Sequence, residues 1–253
     1  MSLARRAVFY PETDNMCESV LQSRICELLR PLLERWLAEK GRPMFVGGNN
    51  FIYFVEGDPT HRIGPDVYVL PHVDPASAPR SWKLWEIPSP PSFCLEVVST
   101  DVGKDYSQSP AVLGSIGVKE LVVFDPEARG RRDRWLWQVF RRGPKGFFLE
   151  EHTNADRVRT RELDAWLRVV GSGDAQRVRL AVGPSGDALV ATADERAEAE
   201  RERAEAERER AQAERERAEA ERERADRAES ARVALEKRVA QLERGKRRRK
   251  PRK

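Results

Sequence analysis

A seven-residue unit, AEAERER, occurs four times in succession from Ala197: at 197–203, 204–210, 211–217 (where Gln212 replaces a glutamate) and 218–224. Every residue type in it favours helix. Its glutamates meet arginines at spacings of three and four, where each pair contributes about 0.2–0.5 kcal/mol on a helix surface. With only alanines to bury, such a segment has one good solution, a long solvated helix. Extended from Asp194 to Glu243, it would be about 75 Å long at 1.5 Å per residue. An apolar seam emerges only near its end, at Ala225, Ala228, Leu235, Val239 and Leu242, and Arg232 interrupts it. Either residues 225–242 close a homodimeric coiled coil, or the helix is solitary and held by its own ion pairs.

The repeat also resolves the charge. The net +4 of the 253 residues describes no single part of the chain. Residues 1–193 hold 25 basic and 25 acidic residues, and residues 194–243 hold 13 and 17. Residues 244–253 hold 8 basic residues and no acidic one. The chain therefore divides into a charge-balanced domain at 1–190, a charged helix at 191–243 and a basic, disordered tail at 244–253, with Gly245 as the expected helix stop. In the tail, Lys246, Arg247, Arg248, Arg249, Lys250, Arg252 and Lys253 form a run suited to phosphate backbones without sequence preference. The alternative is a tail that only solubilises. No apolar run approaches the roughly 18 residues of a membrane span. The N-terminus lacks the apolar region of a secretion signal. Cys17, Cys26 and Cys94, odd in number and without CxxC spacing, read as reduced thiols of a cytoplasmic protein.

The first 190 residues alternate between helical and strand patterns, an α/β domain. Apolar positions from Val20 to Leu37 recur at helical spacing, with Pro31 expected to break or kink the helix. Strands are expected at Phe51–Val55, Pro65–Leu70, Phe93–Ser99 and Leu121–Asp125. Trp82–Glu86 suits a strand or a short helix, and Pro110–Ile116 a short helix. A hairpin is expected from Trp135–Phe140 and Gly146–Glu150, then a last helix or strand at Arg161–Val169 and a boundary turn at Gly183–Gly186.

One residue breaks the pattern. Glu96 lies in the otherwise apolar run FCLEVVS, where an unpaired buried carboxylate would cost several kcal/mol, an order-of-magnitude figure. Alternation puts Leu95 and Val97 on one face and Glu96 and Val98 on the other. A second acid, Asp66, follows Pro65 at the start of an earlier strand. Two acids at neighbouring strand ends can hold a hard divalent cation through oxygen, which can generate hydroxide for phosphodiester cleavage. Otherwise Asp66 caps a turn and Glu96 pairs with an arginine.

The ordered series YFVEGDP, RIGPDVYVL, WKLWE, PPSFCLEVVSTD, GKDY and GVKELVVFDP, over about residues 10–190, resembles the Uma-two family of restriction-endonuclease-like proteins, within the PD-(D/E)XK nuclease superfamily. Members of that family also carry a Glu/Arg-rich helix after the nuclease-like domain. The resemblance implies a restriction-endonuclease-like mixed β-sheet core flanked by helices, followed by a long C-terminal α-helix. It implies an Mg²⁺- or Mn²⁺-dependent endonuclease acting on DNA, with Asp66 and Glu96 as metal ligands and the Val97 carbonyl as a third donor. The superfamily lysine two residues after Glu96 is here Val98. The helix position that usually supplies it in this family, eight residues before the Gly-Val pair, is Ser109, and its tyrosine place is Leu113. Asp105 matches the acid ahead of that lysine. Lys104 is the nearest substitute and is expected to lie before the helix; Lys83 is more remote. Either Lys104 reaches the site from another direction, or the chain keeps its metal-binding acids and has lost most of its catalysis.

Two other classes stand beside the enzyme: a degenerate nuclease domain that holds DNA without cutting it, and a helix that tethers a partner, with the domain as its anchor. Homodimerisation is open to the domain or to residues 225–242. Glu18 and Glu27 on the first helix are further candidate carboxylates. Arg131, Arg132, Arg134, Arg141 and Arg142 read as a solvated turn, His61 as a surface residue, and the six tryptophans as packing.

Overall fold

The strand Phe93–Val97 is buried at every position, and its alternation divides the domain. Phe93, Leu95 and Val97 face one core, and Cys94 and Val98 face the other, as the period of two requires. The computed structural model describes residues 8–11, 19–99, 101–128 and 130–248. Along the chain come α1 (Val20–Glu39), β1 (Phe45–Gly47), β2 (Phe51–Tyr53), β3 (Arg62–Ile63), β4 (Val67–Leu70), β5 (Ser81–Lys83) and β6 (Phe93–Val97). A π-helical turn at Lys104–Gln108 leads into α2 (Ser109–Ser115). Then follow β7 (Glu120–Phe124), β8 (Trp137–Gly143), β9 (Gly146–Thr153), β10 (Arg157–Thr160), β11 (Ala165–Val170), β12 (Arg177–Val182), β13 (Ala188–Leu189) and α3 (Ala193–Arg248).

The central sheet has the order β1-β4-β6-β7-β8-β9 and is mixed: β6 and β7 run parallel, and every other pair is antiparallel. On one face, α1 packs with β10–β12, burying Ile25, Leu29 and Leu33 against Val67, Leu95 and Val122. On the other, Leu113 of α2 and Trp82 of β5 pack on Tyr68, Cys94 and Leu121. β3-β2-β5 forms a small three-stranded sheet, and β10–β13 a four-stranded antiparallel meander. The mixed α/β architecture is the one expected. The last expected element is β11, a strand, and the meander around it was not anticipated.

Several local expectations are corrected. α1 runs without interruption through Pro31: its seven buried residues outweigh the roughly 3 kcal/mol that an interior proline costs. At Gly114 a Cβ would lie 2.7 Å from the Phe147 ring, so glycine lets β9 close on α2. The hairpin arginines are not simply solvated. Arg141 is buried, with its Nε 2.7 Å from the Glu120 carboxylate and Nη1 2.7 Å from that of Glu150. Arg134 makes two bonds of 2.5 Å to the fully buried Asp125, which also accepts from the Tyr106 hydroxyl at 2.6 Å. Arg142 donates to the carbonyls of Val118 and Gly114.

The chain forms two compact units, Met1–Thr192 and Ala193–Lys253. In the second, α3 continues through Gly245 to Arg248 rather than stopping there. A glycine inside a helix costs only about 1 kcal/mol relative to alanine. Lys246, Arg247 and Arg248 thus belong to the helical backbone, while Arg249, Lys250, Arg252 and Lys253 lie outside the described residues. Ion pairs run along α3, as between Arg227 and Glu223 and between Arg232 and Glu229. Leu235 and Val239 of the seam are exposed. No helix among the described residues is long and apolar enough to cross a membrane.

Candidate active site

β4 and β6 are antiparallel with Val67 opposite Leu95, so the next rung sets Asp66 beside Glu96. Asp66 is 3% exposed and Glu96 6%. One oxygen of the Asp66 carboxylate accepts the Val97 N–H at 2.6 Å, and the other accepts from the Gln22 amide at 2.5 Å. The loop before β4 fixes this position. Asn49 N–H donates to the Pro65 carbonyl, and a Cβ at Gly48 would come within 2.4 Å of the Asp66 carbonyl oxygen. Glycine at 48 is therefore required for Asp66 to sit where it does.

Gln22 is the residue that sequence reasoning missed. Ser19 caps α1 by accepting the Gln22 N–H at 3.1 Å, and Ser-x-x-Gln is a capping-box pattern. Here the Gln22 amide turns to Asp66. Of the further candidate carboxylates near the first helix, Glu27 is exposed, and Glu18 lies outside the described residues.

Glu96 points to the face carrying the π-turn and α2. Burial first, then the negative charges of Asp66 and Asp105, push its carboxyl well above the usual range. Lys104 and the Asp66 main-chain N–H oppose that shift. Asp105 is buried, and one of its oxygens accepts both the Ser99 N–H (2.7 Å) and the Ser99 hydroxyl (2.8 Å), fixing the chain as it leaves β6. The neighbouring Cys94 thiol is fully buried and held well above its ordinary pKa by burial and then by Glu96. It is a neutral core group, not a ligand.

Beside Glu96 opens a cavity of about 240 Å³, lined by Glu96, Lys104, Gln108, Ser109, Arg62 and Phe51 among others. Lys104 is not ahead of the helix but part of it, since Val102 and Gly103 are already helical. Residues five apart on an α-helix diverge by about 140°. The π-turn removes that divergence: the Ser109 N–H donates to the Lys104 carbonyl, an i to i+5 bond. Lys104 and Ser109 therefore border one cavity. Such π-turns are frequent at functional sites.

The other candidates are elsewhere. Lys83 pairs with Glu86 at 2.9 Å. His61 is exposed and bonded to Asp58 at 2.8 Å. Trp36 and Trp82 donate to the Leu163 carbonyl and the Tyr68 hydroxyl. No group of three His, Cys, Asp or Glu side chains placed to hold a metal occurs among the described residues.

Comparison with known proteins gives three results. No curated protein matches the chain. A crystal structure of a "putative nuclease belonging to DUF820 from Anabaena variabilis" is similar at 13% identity and a TM-score of 0.40, covering 58% of this chain and 75% of that one. A family model described as "Uma2: Putative restriction endonuclease" matches residues 18–164, the stretch that holds Gln22, Asp66, Glu96 and Lys104. Since that match takes in more than half of the sequence, the chain belongs to the Uma2 family.

Proposed function

We propose that the chain is an endonuclease that hydrolyses DNA phosphodiester bonds with a divalent cation, Mg²⁺ or Mn²⁺, held by Asp66 and Glu96 and by the Val97 carbonyl. One observation carries this reading: two buried carboxylates side by side on adjacent strands, Glu96 pushed toward protonation by burial and then by Asp66, with Glu96 bordering an open cavity that has a lysine on its wall. A cation relieves that repulsion. When bound, such an ion activates water and stabilises charge on the reacting phosphate.

The chain's own residues do the rest. Gln22 holds one Asp66 oxygen and the Val97 N–H the other, so the first ligand is oriented from two elements. Asp105 ties down Ser99, fixing the end of β6 and with it Glu96. Lys104 orients the attacking water and offsets the growing negative charge on the phosphate. It does so from one π-turn ahead of Ser109, the position where the family pattern would have its lysine.

A second reading is supported by the lack of a three-residue metal group among the described residues: a domain that binds DNA without cutting it. Nicking of supercoiled plasmid with Mg²⁺ or Mn²⁺ separates the two. Wild type is expected to nick, and Asp66→Ala and Glu96→Ala are not. Cleavage that survives both substitutions overturns the site. Absence of cleavage by wild type, with salt-sensitive binding retained, selects the second reading. The basic residues at 246–253 would add DNA affinity without sequence preference, and a homodimer through the domain or residues 225–242 is a separate proposal, tested by sedimentation.

A further inference from the structure

The central sheet ends in two unlike edges. β1, at one, has three residues. β9, at the other, has eight, and among the described residues it pairs with β8 alone. Natural edges of that length are covered, bent or studded with charge, because a bare one pairs with whatever strand it meets. Over Gly146–Leu149 the edge carries no charge; instead Phe148 is 46% exposed and Leu149 41%. Glu150 marks the bulge, since Phe140 faces Leu149 and Val139 faces Glu151. Its carboxylate is turned onto Arg141 and Arg161, so it does not guard the edge. The main chain shows which residues offer bonds there. Arg142 gives its N–H to the Lys119 carbonyl, on the β7 side. Its cross-strand partner Phe147 therefore turns its own N–H and C=O away from β8, and by the alternation of an antiparallel ladder Leu149 does the same.

We infer that β9 pairs antiparallel with β9 of a second copy of this chain, about a two-fold axis at Phe148, so that two central sheets become one. In that register Phe147 exchanges main-chain bonds with the partner's Leu149, Phe148 meets the partner's Phe148, and the exposed Lys145 comes toward the partner's Glu151, also exposed. A slip of two residues one way sets Lys145 against Leu149. A slip of two the other way sets Phe147 and Phe148 against glutamates. Slips of one residue set outward-turned main chain against inward-turned main chain. Apolar and charge complementarity thus select one register. The contact is isologous, so it uses both bare edges and closes at two copies. It stands apart from the endonuclease reading, and it assigns the homodimer to the domain rather than to residues 225–242.

The test is sedimentation velocity of the full chain over a range of micromolar concentrations, with thermal melting to confirm that each variant is folded. Wild type should run as a dimer. Phe148→Lys sets like charges face to face at the axis and should raise the dissociation constant by about a hundredfold or more. Leu149→Pro removes an outward N–H, a loss that an edge strand tolerates, and should also give monomer. Lys145→Glu should weaken the dimer about tenfold by reversing two cross-strand pairs, and combining it with Glu151→Lys should restore wild-type strength. Leu235→Lys with Val239→Lys, on α3, should leave the dimer intact. A wild type that is monomeric at tens of micromolar overturns the inference. So does a dimer that survives in folded Phe148→Lys and Leu149→Pro, a dimer lost with the α3 substitutions, or a charge swap that restores nothing.

Discussion

Moving the lysine along its helix tests the least obvious part of the site. Lys104 is exposed, so Lys104→Ala should change stability by no more than about 0.5 kcal/mol. Its effect on rate should be far larger. A positioned group that transfers or steers a proton contributes about 10²–10⁴-fold, or roughly 3–5 kcal/mol of transition-state stabilisation at about 1.4 kcal/mol per decade. Single-turnover cleavage of a labelled duplex in Mn²⁺ reads this directly. Ser109 borders the same cavity and bonds through its N–H to the Lys104 carbonyl. The double variant Lys104→Ala/Ser109→Lys therefore returns an ammonium to the cavity from one π-turn further along. At least a tenfold recovery over Lys104→Ala is expected, with unchanged binding in Ca²⁺. A Lys104→Ala rate within threefold of wild type would refute the role given to this lysine, and failure of the double variant to recover would refute the equivalence of the two positions.

Four further outcomes follow from the geometry. Gly48→Ala places a Cβ 2.4 Å from the Asp66 carbonyl oxygen, short of the 3.0 Å that real contacts respect; the resulting shift of Asp66 should lower cleavage about 10²-fold, while a rate near wild type would show that Asp66 tolerates displacement. Arg141→Ala leaves Glu120, 1% exposed, without its guanidinium, and urea unfolding should register a loss of about 3–5 kcal/mol. The carboxyls of Asp156 and Asp187 are held below their usual pKa by hydrogen bonds to Arg157; their contribution is present above the unfolded-state value near 4 and is lost as pH falls through the lower folded values, so Arg157→Gln should flatten the acid limb of a melting-temperature profile. Truncation after Thr192 should leave the melting temperature and the Lys104-dependent rate of a short duplex in place while reducing affinity and its salt slope.

The helix α3 and the acid pair were legible for opposite reasons. In α3 every position repeats a strong local preference. Glu96 stood out because a carboxylate violates the pattern around it, and burial exacts a cost that needs a partner. What the sequence could not reveal was how distant segments meet. Gln22 lies 44 residues from Asp66, and its capping-box spacing announces a helix start, not a reach across to β4. The π-turn has no signal in Lys104–Gln108 as read by propensity, yet it decides whether Lys104 and Ser109 border one cavity. The β10–β13 meander left a partial trace, since Arg177–Leu180 alternates arginine with apolar residues as a half-buried strand does. Its arginines are tied by long-range bonds, such as Arg157 to Asp187 and Arg179 to the Val190 carbonyl.

The claim on which the rest depends is that Asp66 and Glu96 together hold a divalent cation. Isothermal titration of Mn²⁺ into the full chain near pH 8, set beside Asp66→Asn and Glu96→Gln, addresses it without requiring turnover. The expected result is a single saturable site in wild type that is lost in both variants, with folding confirmed by melting. Saturable binding of equal strength in all three proteins, or none in wild type up to millimolar Mn²⁺, would contradict the claim.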